Sequence, residues 1–133
     1  MIRNSLIVAA LLAATLAPRA ASAGEADVTA VAARSGSTYS FSVTVRHADE
    51  GWDHFANRWE VLSLDGKVLA TRVLAHPHVN EQPFTRSLSG VKLPAGTKEV
   101  RIRAHDNVHK HGGTDLIVNL ETGKSRPVTG GDS

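Results

Sequence analysis

The chain has 133 residues, which is the usual length of one domain. It contains seven His and no Cys, so no disulfide can brace the fold and no thiolate can bind a metal. Its net charge of +2 becomes neutral without residues 1–23, because Arg3 and Arg19 lie there. This balance leaves no basic stripe for a phosphate backbone and argues against nucleic acid as a partner.

Residues 1–23 have the pattern of a secretory signal peptide. Arg3 provides a basic start, residues 6–17 form a short apolar run, and Ala21 and Ala23 are the small residues that a signal peptidase requires. The run is too short to span a bilayer comfortably. We therefore expect cleavage before Gly24, a periplasmic or secreted location, and no membrane association afterwards. A retained membrane anchor is the alternative interpretation.

From Gly24 onward, apolar and polar residues alternate in short segments that are separated by turns. This pattern is typical of strands, and Asp65-Gly66 is the strongest hairpin signal. It predicts seven strands, at about residues 26–33, 39–47, 58–64, 67–74, 84–88, 99–105 and 114–120. The predicted domain spans residues 24–121, and the polar residues 122–133 are predicted to be a flexible tail.

Seven short strands at this spacing predict an all-β, antiparallel sandwich of the immunoglobulin-like or fibronectin-III-like kind. The turn at residues 93–96, followed by Val-x-Ile-x-Ala, resembles the entry to strand F of such domains. The corner Tyr and the two core Cys of immunoglobulin domains are absent, so the resemblance concerns architecture alone.

The predicted topology gathers the histidines at one end of the sandwich. Successive loops of an antiparallel sandwich of this kind alternate between its two ends. The turns near residues 36, 66 and 95 then share one end and contain no His. The loops at residues 47–57, 75–84 and 105–113 share the other end, and all seven His lie in or beside them. Loops on a rigid scaffold commonly carry binding sites.

The strand alternation also predicts where two of these polar side chains point. His47 lies at an even spacing from Phe41 along its strand and is expected to point inward, as Phe41 does. Asp106 has the same relation to Ile102 and is expected to point inward too. Their strands belong to opposite sheets in the predicted fold, so the two side chains are expected to meet at the top of the core. A carboxylate that fixes an imidazole tautomer is the usual support of a metal ligand. A hydrogen-bonded polar plug beneath the loops is the alternative.

A cluster of imidazoles favours a transition-metal site, with Cu(II) or Zn(II) as the expected ion. Three or four converging imidazoles would form a tetrahedral or tetragonal site. The preferred ligands are His54, His76, His78 and His109. His105 and His111 are further candidate ligands. The groups expected behind or beside the ligands are His47, Asp106, Glu81 and Trp52.

Three functions remain open from these residues. The preferred one is a metal-binding protein that acts in copper or zinc handling, with a periplasmic protein as a further partner. The second is a His-rich face that recognises a protein or a glycan. The third is a metal-dependent enzyme with an open coordination position, in which Glu81 is the nearest candidate general base. The chain has no strict metal-binding spacing motif, and the histidines could instead respond to pH.

The stretch HPHVNEQPFTRSL at residues 76–88 is the most distinctive part of the sequence. Together with Val108-His109 and Gly112-Gly113, it resembles a set of uncharacterised small exported proteobacterial proteins. The resemblance extends over most of the chain after residue 23. It implies a periplasmic sandwich domain and no particular chemistry.

Overall fold

The computed structural model describes residues 24–129. The expected signal peptide at residues 1–23 and the last residues, 130–133, lie outside the described part of the chain. Within the described range, the regular secondary structure consists of eight strands and no helix. None of the residues in this range belongs to a helix that is long and apolar enough to cross a membrane.

The strands follow the alternation of apolar and polar residues along the chain. They are β1 (Asp27–Ser35), β2 (Tyr39–Arg46), β3 (Ala56–Leu62), β4 (Val68–Val73), β5 (Phe84–Val91), β6 (Glu99–Asp106), β7 (Thr114–Asn119) and β8 (Ser125–Thr129). Strands β1 to β7 lie within a few residues of the seven predicted strands. The all-β class predicted from the sequence is therefore confirmed.

Two antiparallel sheets form the two layers of the fold. One sheet has three strands in the order β1-β2-β5, and the other has five strands in the order β4-β3-β6-β7-β8. The chain passes from one sheet to the other between β2 and β3, between β4 and β5, and between β5 and β6. The loops that follow β2 and β4 are two of the His-bearing loops.

The core consists of apolar side chains from both sheets. Strand β2 contributes Phe41 and Val43, and strand β6 contributes Val100 and Ile102, all of them fully buried. Trp59 on β3 is the largest fully buried side chain. Because side chains alternate along a strand, the same inward phase continues to the ends of β2 and β6. The polar residues at those two ends therefore enter the top of the core.

Strand β8 lies where the sequence predicts a flexible tail. All of its residues, from Ser125 to Thr129, pair with β7, from Thr114↔Thr129 to Val118↔Ser125. The segment has only one half-buried apolar residue, Val128, so its hydrophobic pattern carries almost no signal. Its backbone hydrogen bonds come from pairing with an open edge of the sheet, and an edge strand also tolerates Pro127. The sandwich consequently has eight strands rather than seven.

Removing β8 is expected to destabilise the protein. A chain that ends at Lys124 loses the pairing with β7 and leaves that edge open, so its free energy of unfolding should fall by about 1–3 kcal/mol. A chain that ends at Thr129 is the matched control and should stay within about 0.5 kcal/mol of the full chain. Urea unfolding of the three chains measures this difference. Equal stability of both truncated chains would mean that residues 125–129 are a tail.

Candidate metal centre

The ends of β2 and β6 bring a histidine and an aspartate together. His47 follows β2 directly, and Asp106 is the last residue of β6. The Nε2 atom of His47 lies 3.4 Å from Oδ2 of Asp106, and both side chains are fully buried. This is the arrangement that the strand alternation predicts. The pair joins the two sheets at the end of the molecule where the His-bearing loops begin.

Two more imidazoles complete this site, which we call the central cluster: His47, His54, His109 and Asp106. The Nε2 atom of His54 lies 3.2 Å from Nε2 of His47 and 3.1 Å from Nδ1 of His109. The same Nδ1 of His109 lies 3.4 Å from Oδ2 of Asp106. Four potential ligand atoms, one from each residue, therefore form a ring in which each atom lies close to the next.

The backbone contributes a fifth polar atom to the central cluster. The carbonyl oxygen of Gly24 lies 3.2 Å from Nε2 of His47 and 3.1 Å from Nε2 of His54. Gly24 precedes β1, so the beginning of the described chain reaches the same point as the loops after β2 and β6.

Neighbouring carboxylates fix the tautomers of two of these imidazoles. Nδ1 of His47 lies 2.5 Å from Oδ1 of Asp49, and Nδ1 of His54 lies 2.8 Å from Oε1 of Glu50. An ionised carboxylate can only accept a hydrogen bond, so in each neutral ring Nδ1 carries the proton and donates it. The Nε2 atoms of His47 and His54 consequently present lone pairs to the centre of the cluster.

The centre of the cluster is rich in hydrogen-bond acceptors. The two Nε2 lone pairs face the Gly24 carbonyl oxygen, and the Oδ2 atom of Asp106 is buried with no hydrogen-bond partner. Acceptors at such distances repel one another unless a proton or a metal cation lies between them. The hydrogen bond to Glu50 raises the pKa of His54 despite the opposing effect of burial, and the Gly24 carbonyl and Asp106 add to the rise.

The spacing of these atoms suits a metal ion. Neighbouring ligands on a divalent transition-metal ion lie ~3 Å apart, by simple geometry from the bond length. The four separations around the central cluster are 3.2, 3.1, 3.4 and 3.4 Å. His47, His54 and Asp106 each offer a ligand atom within 4.8 Å of the other two. The group could therefore hold a metal ion.

Asp49 is hydrogen-bonded to His47 of the central cluster and to the backbone of two other segments. Its side chain is fully buried, and its Oδ1 atom also accepts a hydrogen bond from the backbone N–H of Ala56 at 3.1 Å. Its Oδ2 atom accepts a hydrogen bond from the backbone N–H of His78 at 2.6 Å. One carboxylate thus connects the loop after β2, the first residue of β3 and the loop after β4.

The structure places His76 and His78 beside the central cluster rather than within it. His78 is buried and stacks on Phe84 with 3.9 Å between ring centroids, and neither of its ring nitrogens has a hydrogen-bond partner. Burial is the main reason why the pKa of His78 is lowered. His76 is exposed and lies against His78 at 4.6 Å between centroids. The two imidazole rings pack against each other, and His78 also packs against Phe84.

His105 and His111 form a separate pair on the five-stranded sheet. Their ring centroids are 4.7 Å apart, and Nδ1 of His105 donates a hydrogen bond to Oδ1 of Asn57 at 2.6 Å. Nε2 of His111 lies 3.3 Å from Oε1 of Glu60. His105 follows the inward-pointing Ala104, so this pair lies on the opposite face of the sheet from the core. Burial lowers the pKa of His105 to about 4.

Two further predicted site residues are largely exposed. Glu81 forms an ion pair with Arg86 at 3.2 Å, and its side chain is 58% exposed. Trp52 is 66% exposed and packs against Phe55 with 5.5 Å between ring centroids. Neither side chain is among the buried groups that surround the central cluster.

Three contributors to the site were not predicted from the sequence: Asp49, Glu50 and the Gly24 carbonyl. His47 was predicted to lie behind the ligands, whereas the structure aims its Nε2 atom at the centre of the cluster. The spacing His-x-Asp at residues 47–49 is a usable signal for Asp49, because such a pair can close a local hydrogen bond. A backbone carbonyl leaves no such signal.

No family model matches the sequence, and no solved structure is similar to it. A protein of the archaeon Halomicrobium mukohataei, named "Putative lipoprotein", is 41% identical over 109 residues. The match covers 80% of this chain and 53% of that protein, so the chain spans about half the length of its curated relative.

Replacing Asp49 with Asn should destabilise the protein. The amide keeps one acceptor oxygen but turns its NH₂ group toward a buried N–H donor, so the free energy of unfolding should fall by about 2–3 kcal/mol. The exposed Asp53 lies four residues away, and Asp53→Asn is the matched control. Thermal or urea unfolding distinguishes the two variants. Similar stabilities would show that the buried carboxylate does not hold the loops.

Acid should weaken the fold partly through His105. In the unfolded chain this ring takes up a proton as the pH falls below its usual pKa near 6.5. In the folded chain it takes up the proton only near pH 4, because its pKa is lowered to about 4. Stability is therefore lost as the pH falls through this window, and His105 accounts for about 2 kcal/mol between pH 7 and pH 5. In urea unfolding, His105→Gln should show a pH dependence that is smaller by that amount. An unchanged pH dependence in this variant would contradict the assignment.

Proposed function

We propose that this protein binds one divalent transition-metal ion, Cu(II) or Zn(II), at the central cluster. The observation that carries the proposal is the buried Oδ2 atom of Asp106, which has no hydrogen-bond partner and lies 3.4 Å from ring nitrogens of both His47 and His109. His47, His54 and His109 would supply nitrogen and Asp106 would supply oxygen. A set of three imidazoles and one carboxylate suits either ion.

The charges around the cluster support a cation at this point. The side chains of Asp49 and Asp106 are both fully buried. Within residues 24–129, their ion-pair partners are imidazoles: His47, His54, His78 and His109. Burying two carboxylates without a permanent positive charge is costly. A divalent ion would offset that cost and would keep the imidazoles neutral, as ligation requires.

The proposed role is the holding or transfer of the ion rather than catalysis. Protein groups, the four side chains and the Gly24 carbonyl oxygen among them, would occupy the coordination positions of the ion, whereas catalytic sites keep a position open. His109 is the most exposed of the four, with 37% of its side chain accessible, and it would be the first ligand to release an ion to a partner. His47 and Asp106 are buried and would form the fixed part of the site.

We further propose that the domain is an exported, immunoglobulin-like sandwich. Strands β1, β2 and β5 would correspond to A, B and E of that fold, and β3, β6 and β7 would correspond to C, F and G. The signal pattern of residues 1–23 supports export to the periplasm or beyond the cell. The name of the archaeal relative, "Putative lipoprotein", also agrees with an exported protein.

Titration with Cu(II) and with Zn(II) tests the metal site. The tag-free protein should bind one equivalent of ion, because the central cluster is a single site. His54→Ala removes a ligand at the middle of the ring of contacts and should weaken binding by about 100-fold or more. His76→Ala is the matched control, since this exposed imidazole lies outside the cluster, and it should bind as tightly as the unaltered protein.

The two variants also separate the proposal from a general affinity of imidazoles for metal. Equal losses in His54→Ala and His76→Ala would indicate weak binding over the whole His-rich surface. Circular dichroism of both variants checks that the fold is retained. Failure of the unaltered protein to bind either ion would reject the function proposed here.

A further inference from the structure

We propose that the α-amine of Gly24, created when residues 1–23 are removed, is an additional ligand of the bound ion. The inference rests on the proposed metal-binding function and adds a ligand that only the processed chain possesses. Its basis is the position of Gly24, whose carbonyl oxygen lies within 3.2 Å of two ligand nitrogens in the central cluster.

The segment that carries Gly24 is firmly held against the fold. Ala26 and Val28 are buried in the core, and Oδ1 of Asp27 accepts a hydrogen bond from the backbone N–H of Thr114 at 2.8 Å. A Cβ at Gly113 would overlap the carbonyl oxygen of Ala26, so the two backbones are in close contact. The position of Gly24 is therefore fixed by residues that immediately follow it.

Residue 24 is also in close contact with the site. A Cβ here would lie 2.8 Å from Cε1 of His109. The backbone of Gly24 thus packs directly against the ring of a proposed ligand. A residue with a side chain would push His109 away from the cluster.

The chemistry of a terminal glycine suits this position. The amine nitrogen and the carbonyl oxygen of one residue are separated by two carbon atoms, so joint binding to one ion closes a five-membered chelate ring. An α-amine offers a lone pair to a metal once it has lost its proton, with a pKa near 8 in the absence of metal. In the uncleaved chain the same nitrogen is an amide, which keeps its proton and offers no lone pair. Full affinity would therefore appear only after the signal peptide is removed.

Three forms of the protein test this ligand. One begins at Gly24, the second begins at Ala23, and the third begins at Gly24 with an acetylated amine. Cu(II) affinity is measured for each by competition titration. We expect the first form to bind about 100-fold more tightly than the other two, because a tethered second donor acts at high effective concentration. In the first form, Cu(II) should also protect the amine of Gly24 from acylation while the Lys side chains still react, as measured by mass spectrometry.

The outcomes separate this inference from the proposed function. Equal affinities of the three forms, or no protection of the amine, would overturn the role of Gly24 and leave the side-chain metal site intact. Absence of binding in all three forms would reject the metal site itself. The mass of the protein recovered after export should correspond to a chain that starts at Gly24, and a different first residue would also overturn the inference.

Discussion

A single buried carboxylate, that of Asp49, determines how the His-bearing end of the molecule is built. It accepts hydrogen bonds from the imidazole of His47, from the first residue of β3, and from the backbone of His78. An anion buried at this depth is stable only when its acceptor positions are filled. The loops that supply those donors must therefore take one arrangement. The same arrangement turns Nε2 of His47 toward the other side chains of the central cluster.

The seven histidines illustrate how environment decides what an imidazole does. In the central cluster the surrounding acceptors favour positive charge, and the pKa of His54 is raised. His78 is stacked on Phe84 and behaves as a flat, mostly apolar group. His105 is held neutral by burial, which lowers its pKa, and the nearby Arg58 adds to the effect. A count of histidines in the sequence treats all of these as equivalent, whereas the acceptor-rich surroundings single out the central cluster as the group suited to hold an ion.

Alternation along strands has predictive power because the direction of each side chain is fixed by the backbone. Alternation predicts seven of the eight strands, and it predicts that the side chains of His47 and Asp106 meet. Loop residues have no such periodicity, so the convergence of His54 and His109, and the separation of His76 and His78 from them, depends on contacts made only in the fold. Strand β8 is not predicted by alternation, because it forms by backbone pairing with an open sheet edge rather than by burial of its side chains.

The central cluster lies where the two layers of the sandwich meet. His47 extends from the three-stranded sheet, and Asp106 ends a strand of the five-stranded sheet. An ion shared by these residues would act as a removable cross-link between the layers, in a chain that has no cysteine for a permanent one. Separation of the sheets would then require loss of the ion. The bound ion would slow the opening of the sandwich, and resistance to proteases would rise and fall with metal supply.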